Sequence, residues 1–408
     1  MRLFFVTRQI LKKHEGEIWG CFIDLKAAYD WINRQRLLEV LRTRFGEGNG
    51  KVIVDLLECL YRLTTAKIDG SESEISIKIG LKQGAVESCV LFNYWLDTAM
   101  RFVLLEISEK VPTAGIDRRY QVCSENSTRE QRMKHQMSGF TNCKFVKFAD
   151  DILVLCKTKD ELEQVMNIIA GKFEDFGMVL AETKTVTMTW NTSDETMKTE
   201  SLISVNGTPL SNLREFKYLG HVLTNEKKAK FLSAQIGLAY GAWNELKTTL
   251  TDHNIYLKTR VRIAESVFRS RLTYALQTDR LLPSQRDTID SIWFRTCRKM
   301  IRGGFRRIGS EDDENPNFKY VIKNEEVQQI CKTQRASAFC EAQHLKFVGH
   351  VARMGNDAPQ KQWMFADTRK GCANKWKLLG KDWNVSEQQI RKTISNKKSL
   401  NDFLKERI

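Results

Sequence analysis

The chain has no C-x-x-C pair and no regular framework among its ten cysteines. That excludes the disulfide scaffolds of small secreted domains and points to reduced thiols in an intracellular protein. The nearest approach to zinc spacing is Cys331, Cys340, His344 and His350, and there the gap between the cysteines is too long for a finger knuckle. Apolar runs of membrane-spanning length are missing, and Leu3-Phe4-Phe5-Val6 is too short for a signal peptide. A membrane partner and secretion are therefore not expected. Acidic charge is scarce: 50 Asp and Glu stand against 65 Lys and Arg, giving +15 and a pI near 9.3. Such an excess indicates a polyanionic partner, with nucleic acid first, or serves solubility alone. What remains is 408 residues, 42% hydrophobic, enough for a large core in two or three domains.

The most informative residues are Phe148-Ala149-Asp150-Asp151, between the apolar runs Phe145-Val146 and Ile152-Leu153-Val154-Leu155. The spacing predicts a β-hairpin whose buried strands hold two carboxylates at a rigid tip. A second strand-like run, Trp19 to Leu25, carries Asp24, and folding could bring all three acids together. Oxygen-only ligation of that density suits Mg²⁺ or Mn²⁺, two of which could activate a hydroxyl and stabilise a departing pyrophosphate. A pair of solvated turn aspartates is the plain alternative.

Helical periodicity at Leu37, Leu38, Leu41 and Phe45 stops at Gly46, and a second helix is expected with Val52, Leu56, Leu57 and Leu60 on its apolar face. Residues 66–70 and 75–79 alternate as a hairpin. Gly80-Leu81-Lys82-Gln83-Gly84 then opens a long helix from about Glu87 to Ile107, placing Lys82, Gln83 and backbone amides at a helix N-terminus suited to anions, or forming an ordinary strand-to-helix turn. Residues 110–140 read as a polar insertion without a role. Beyond the aspartates come a helix through Leu162, Val165, Met166, Ile169, Phe173 and Phe176, a turn and strand carrying Lys184, a Pro209-containing turn, and a short strand at Phe216 to Gly220. This order describes an α+β layer, an antiparallel sheet with helices on one face. From about Lys227 strand signals largely vanish. Arg295, Arg298, Lys299, Arg302, Arg306 and Arg307 form a cationic cluster able to follow a phosphate backbone, or a solvated helix face. Acidic Glu311 to Pro316 reads as a linker to a last helical region with a small core around Trp363, Trp376 and Trp383.

Taken together, F-I-D-L-K-A-A-Y-D (22–30), G-L-K-Q-G (80–84) with Leu91-Phe92-Asn93, F-A-D-D (148–151), G-M-V-L-A-E-T-K-T (177–185) and F-K-Y-L-G (216–220) resemble, in order and spacing, the reverse transcriptases of non-LTR (LINE-type) retrotransposons. Ile292 to Arg295 and Leu345 to Met354 resemble the thumb and C-terminal region of such elements. The resemblance implies a polymerase palm over 1–225, a helical thumb over 226–309 and a helical C-terminal region over 310–408. It implies RNA-templated DNA synthesis from deoxynucleoside triphosphates on a DNA primer, with Asp24 and Asp150 as principal ligands of Mg²⁺ or Mn²⁺ and Asp151 as a further ligand or supporting acid. Tyr29 would be the steric gate against ribose, Gln83 and Gly84 would lie against nucleotide and template, and Lys184 would donate a proton to pyrophosphate. Phe216, Tyr218 and Leu219 would shape the primer grip, with Arg298, Lys299, Arg302 and Arg306 on the nucleic-acid backbone.

Two departures accompany these matches. The chain starts shortly before the first motif, so fingers and an upstream endonuclease are not visible and a truncated, element-derived copy is expected. Cys89 stands where the family usually has proline after Ser88. The competing expectations are a catalytically inactive nucleic-acid binder and a zinc-supported module using Cys331, Cys340, His344 and His350.

Overall fold

The computed structural model describes residues 2–62, 64–70, 74–82, 84–120, 139–225, 231–301, 305–308, 317–320, 322–355, 358–365 and 371–407. It is a mixed α/β fold built on one six-stranded, mostly antiparallel sheet.

Helix α1 (Arg2–Lys13) leads into β1 (Ile18–Ile23) and a short β2 (Leu25–Lys26). Helices α2 (Arg34–Phe45) and α3 (Gly48–Arg62), the hairpin β3 (Thr65–Lys67) and β4 (Glu74–Ser76), and the long α4 (Val86–Lys110) follow. Next come β5 (Ile116–Tyr120), β6 (Gly139–Cys143), β7 (Phe145–Phe148), β8 (Asp151–Cys156), α5 (Lys159–Asp175), β9 (Val179–Leu180), β10 (Val186–Trp190) and α6 (Asp194–Lys198). Strands β11 (Ser201–Val205), β12 (Thr208–Asn212), β13 (Glu215–Tyr218) and β14 (His221–Thr224) complete this part. The main sheet runs β11-β12-β10-β1-β8-β7, with β10 and β12 its only parallel pair.

Side-chain alternation explains why β1 is buried at all six positions. Trp19, Cys21 and Ile23 of β1, with Ile152, Val154 and Cys156 of β8, face a core closed by α2, α4 and α5. Ile18, Phe22, Leu153, Leu155, Val186, Met188 and Trp190 face a second core. Helices thus cover the face expected from sequence, and the opposite face is covered as well. Phe4, Phe5, Val6 and Ile10 of α1 fill part of that second core.

The rest comes from the C-terminal helices. The next helices are α7 (Phe231–Thr251), α8 (Leu257–Ala264), continuing through a π-turn into α9 (Ser270–Thr273), and α10 (Pro283–Met300). After the hairpin β15 (Phe305–Ile308) and β16 (Asn317–Tyr320) come α11 (Asn324–Cys331), α12 (Ala336–Ala352), α13 (Pro359–Phe365), α14 (Gly371–Asp382), α15 (Glu387–Ser395) and α16 (Lys397–Arg407). A third core joins α7 to α11 with the start of α12. Leu345, Val348, Trp363, Trp376, Ile390 and Leu400 belong to the second core, against the sheet. Trp376 stacks on Phe365 and Trp383 lies against Phe403, so the C-terminal tryptophans do gather a local core, and that core is continuous with the apolar residues of α1 and of this sheet face.

Several local expectations need correcting. Val52, Leu56 and Leu60 are 55–64% exposed; α3 packs through Val54, Leu57 and Tyr61. Those positions share one helical face, while the expected set marks another apolar stripe of the same helix. Pro209 lies in β12, and the turn before it is made by Asn206 and Gly207, both at positive φ. The supposed insertion begins and ends in paired strands, Ile116↔Cys143 through Tyr120↔Gly139, with Ile116 buried in the second core. Residues 121–138 lie outside the described residues. Strand structure also persists past residue 227, because Phe305↔Tyr320 through Ile308↔Asn317 form a hairpin.

Candidate active site

The aspartate hairpin forms as its pattern indicates. Strands β7 and β8 pair from Phe145↔Val154 to Phe148↔Asp151, leaving Ala149 and Asp150 as the loop. Ala149 sits at φ +51°, a left-handed conformation that costs an L residue energy and is held by the buried strands around it. Asp150 is exposed at the tip and Asp151 opens β8.

Antiparallel pairing brings in the third acid. Strands β1 and β8 are in register to Ile23↔Ile152, so the next step sets Asp24 opposite Asp151. The electrostatics record this convergence: the Asp151 carboxyl is pushed above its ordinary range first by desolvation, then by the charges of Asp150 and Asp24. Lys184 supplies an opposing charge, its Nζ 3.8 Å from Asp24 Oδ2, and is itself 75% exposed. The donor set is that of a hard divalent cation. Among the described residues no three His, Cys, Asp or Glu side chains are grouped closely enough to hold a metal. Asp24, at 40% exposure, and exposed Asp150 have room to swing inward.

Tyr29 borders this acidic centre. Its ring stacks on Phe92 of α4 at 4.6 Å, and its phenol lies beside Cys89. Burial first, then the neighbouring Cys89 side chain and the charge of Asp150, push its pKa up to about 12, so it is a neutral phenol. The residue that departs from the family pattern thus touches the expected gate.

The loop at 80–84 is sewn to the same segment. Gly80 donates to the Ile32 carbonyl and Leu81 to the Tyr29 carbonyl, both at 2.8 Å. Gly80 has φ +81°, and a Cβ there would meet the Asp30 carbonyl oxygen at 2.8 Å, so glycine is required. Gly84 is exposed at φ +86°; Gln83 lies outside the described residues. Sequence reading missed Arg34. It is buried, donates through Nε to Gly80 O at 2.7 Å and through Nη1 to Ile77 O at 2.7 Å, and lies over the Tyr61 ring. A basic residue inside the amphipathic α2 pattern, at a position that should be apolar, was the available signal.

The remaining expected residues lie elsewhere. Phe216 and Tyr218 pack against Phe22 on the reverse side of β1, at 4.5 and 5.1 Å between ring centroids. The buried Tyr218 hydroxyl donates to Val146 O at 3.1 Å. Leu219, at φ +51°, makes the β13–β14 turn with Gly220. Arg298 is buried, donating to Ile322 O at 3.0 Å and Asn324 Oδ1 at 2.6 Å, and so does not present its guanidinium to a phosphate backbone. Lys299 is exposed with its ammonium 4.9 Å from the centre of the Trp243 ring. Arg302 lies outside the described residues, and Arg306 is in β15. Cys331 and Cys340 are buried in the third core, and His344 Nδ1 is 2.7 Å from the Gln277 carbonyl.

Comparison with known proteins agrees with this geometry. A family model described as "Reverse transcriptase (RNA-dependent DNA polymerase)" matches residues 2–223. No curated protein matches the chain. Solved structures that resemble it include a C-terminally truncated apo telomerase from Candida tropicalis, 14% identical, covering 55% of this chain and 37% of that one, TM-score 0.37. Telomerase from Candida albicans with a TWJ fragment of telomeric RNA is also 14% identical, covering 73% and 46%, TM-score 0.34. The Candida tropicalis telomerase with such a fragment is 13% identical, covering 89% and 51%, TM-score 0.38. The chain thus spans 37% to 51% of the length of these telomerases.

Proposed function

Because the chain belongs to the reverse transcriptase (RNA-dependent DNA polymerase) family, which matches more than half its length, we propose that it extends a DNA primer on an RNA template, as an RNA-directed DNA polymerase of the non-LTR retrotransposon type. The observation that carries this reading is the convergence of Asp24, Asp150 and Asp151, recorded in the raised pKa of Asp151.

Asp24 and Asp150 would hold Mg²⁺ or Mn²⁺, with Asp151 as a further ligand or a supporting acid. Bound there, two such ions lower the pKa of an attacking hydroxyl and neutralise charge on the leaving pyrophosphate. The chain's own residues do the rest. Rigid strands β1 and β8 fix the backbone from which the acids project, so only the Asp24 and Asp150 side chains need turn inward to close on a cation. Neutral Tyr29, held by Phe92 and Cys89, presents a hydrophobic edge where a ribose 2′-hydroxyl would need room. Gly84, without a Cβ, leaves space for a nucleotide or template strand. Lys184, beside Asp24 and largely in solvent, is placed to give a proton to pyrophosphate once Asp24 no longer engages it.

Primer extension on an RNA template with deoxynucleotides and Mg²⁺ or Mn²⁺, beside an Asp150→Ala, Asp151→Ala double variant, tests the proposal. Extension by the wild type should fall at least about 10³-fold in the variant, since charge stabilisation at the reacting centre is lost. A folded wild type that binds RNA and extends nothing would assign the chain instead as an inactive, element-derived nucleic-acid binder.

A further inference from the structure

Asp24 stands beyond the ends of both ladders of β1, two residues past Phe22↔Val186 and one past Ile23↔Ile152. Its peptide groups must find partners elsewhere. They find them in the turn between β9 and β10. The Asp24 N–H donates to Thr185 Oγ1 at 3.2 Å, and the Thr185 hydroxyl points back at the Asp24 carbonyl, 3.5 Å away. Ala181 N–H donates to that same carbonyl at 2.8 Å. Thr185 is 1% exposed, so water does not compete for its hydroxyl. From the adjacent position, Lys184 reaches the Asp24 carboxylate. The turn thus grips Asp24 twice, by main chain and by side chain.

We propose that Thr185 is a positioning residue for Asp24. Its hydroxyl fixes the backbone from which the metal-binding carboxylate projects, and so sets where a cation sits relative to Asp150. This inference rests on the polymerase reading above. A valine at 185 keeps the shape and leaves the Asp24 N–H unpaired in a partly buried place; the segment then shifts to find another acceptor, and small displacements of a catalytic group are expensive in rate.

Strand β10 contains its own control. Thr187 is two residues further along, so on the same face, and fully buried. Its hydroxyl is 3.4 Å from both Ser211 O and Asn212 Oδ1 and makes no bond to Asp24. T187V therefore costs a buried hydroxyl without touching the site.

The experiment compares wild type, T185V, T185S and T187V in single-turnover primer extension and, independently of turnover, in Mn²⁺ titration of the protein on primer-template followed by electron paramagnetic resonance. T185V should lose about tenfold in rate, with the nucleotide KM within about twofold, and bind Mn²⁺ more weakly. T185S should restore both to within about threefold. T187V should stay near wild type in rate and Mn²⁺ affinity. Should T185V fail to fold, T185S against T185A, which differ by the hydroxyl alone, carries the same comparison. T185V behaving like T187V, or no rescue by serine, overturns the positioning role alone. A wild type that neither extends nor binds Mn²⁺ overturns the polymerase reading and this inference with it.

Discussion

The aspartate hairpin and the last turns of helix α10, with Arg295, Arg298 and Lys299, are each dense in one sign of charge, and the fold treats them differently. At the hairpin, Phe148↔Asp151 closes the strands and leaves Asp150 in solvent, with Asp24 opposite. On α10, Ile289, Ile292, Trp293, Phe294, Thr296, Cys297 and Met300 are all buried, so the helix is enclosed on most of its circumference. Arg298 cannot leave that enclosure and spends its donors on Ile322 and Asn324. Charge at the turn between buried strands is displayed; on the last turns of α10 the cation on the enclosed side, Arg298, is consumed, while Arg295 and Lys299 stay on the exposed strip. A net charge of +15 therefore overstates what a polyanion would meet.

The comparison breaks most visibly at Arg298. Removing that side chain leaves a cavity at its buried position and a part-buried carbonyl without its donor, so Arg298→Ala should destabilise the protein by about 1–3 kcal/mol in denaturant unfolding. The salt dependence of RNA binding should be unchanged in whatever fraction stays folded. Exposed Arg295 and Lys299 should behave the other way: the double alanine variant should fold normally and flatten the plot of log affinity against log salt by about one per lost phosphate contact. An Arg298→Ala protein of full stability with a flattened slope would make α10 a display surface after all.

The same contrast explains what was legible in the sequence. The hairpin could be read because its signals are local: apolar runs of period two, a short polar tip, and acids at fixed offsets. The helix through Leu162 and Phe173 was equally plain, since Thr158 caps it by accepting from the Glu161 N–H at 3.2 Å. Helix α3 was misread because its apolar residues wrap two faces, Val52-Leu56-Leu60 and Val54-Leu57-Tyr61, and periodicity cannot choose between them. Burial of Arg298, the merging of the C-terminal core with the apolar cluster of α1 and the sheet, and the reach of Thr185 to Asp24 across 161 residues depend on tertiary partners that no local window contains. Positive φ at Ala149 and Leu219 is likewise imposed from outside, against the preference of both residues.

Arg34 is the case between. It is as buried as Arg298, yet its bonds end at the loop beside the acids instead of at a distant helix. Its loss should therefore be felt in both currencies, stability and rate. Arg34→Lys, which keeps the charge and loses the planar fork, should lower the rate of primer extension about tenfold and raise the nucleotide KM, because the Gly80–Gly84 loop is no longer fixed against Tyr29. Unchanged kinetics with lowered stability would place Arg34 with Arg298, as a purely structural cation.

The smallest expected effect is the sharpest test of displayed charge. Desolvation and the neighbouring aspartates raise the folded-state pKa of Asp151 above its unfolded value of 3.8. The folded state then holds the proton more tightly than the unfolded chain, so this group favours folding when protonated. That contribution is fully present below the unfolded pKa and lost as pH rises through the folded one. At neutral pH the ionised carboxylate is a net cost, discounted by solvent at the hairpin tip. Asp151→Asn should accordingly raise the unfolding midpoint at pH 7 by about one degree in the absence of divalent ions, with no gain at pH 3. Added Mg²⁺ should stabilise the wild type more than the variant, since a cation bound by the acids relieves the same repulsion. A wild type more stable than Asp151→Asn at pH 7 without metal would mean that the three carboxylates do not repel one another, and the equivalence drawn between this hairpin and a cation site would go.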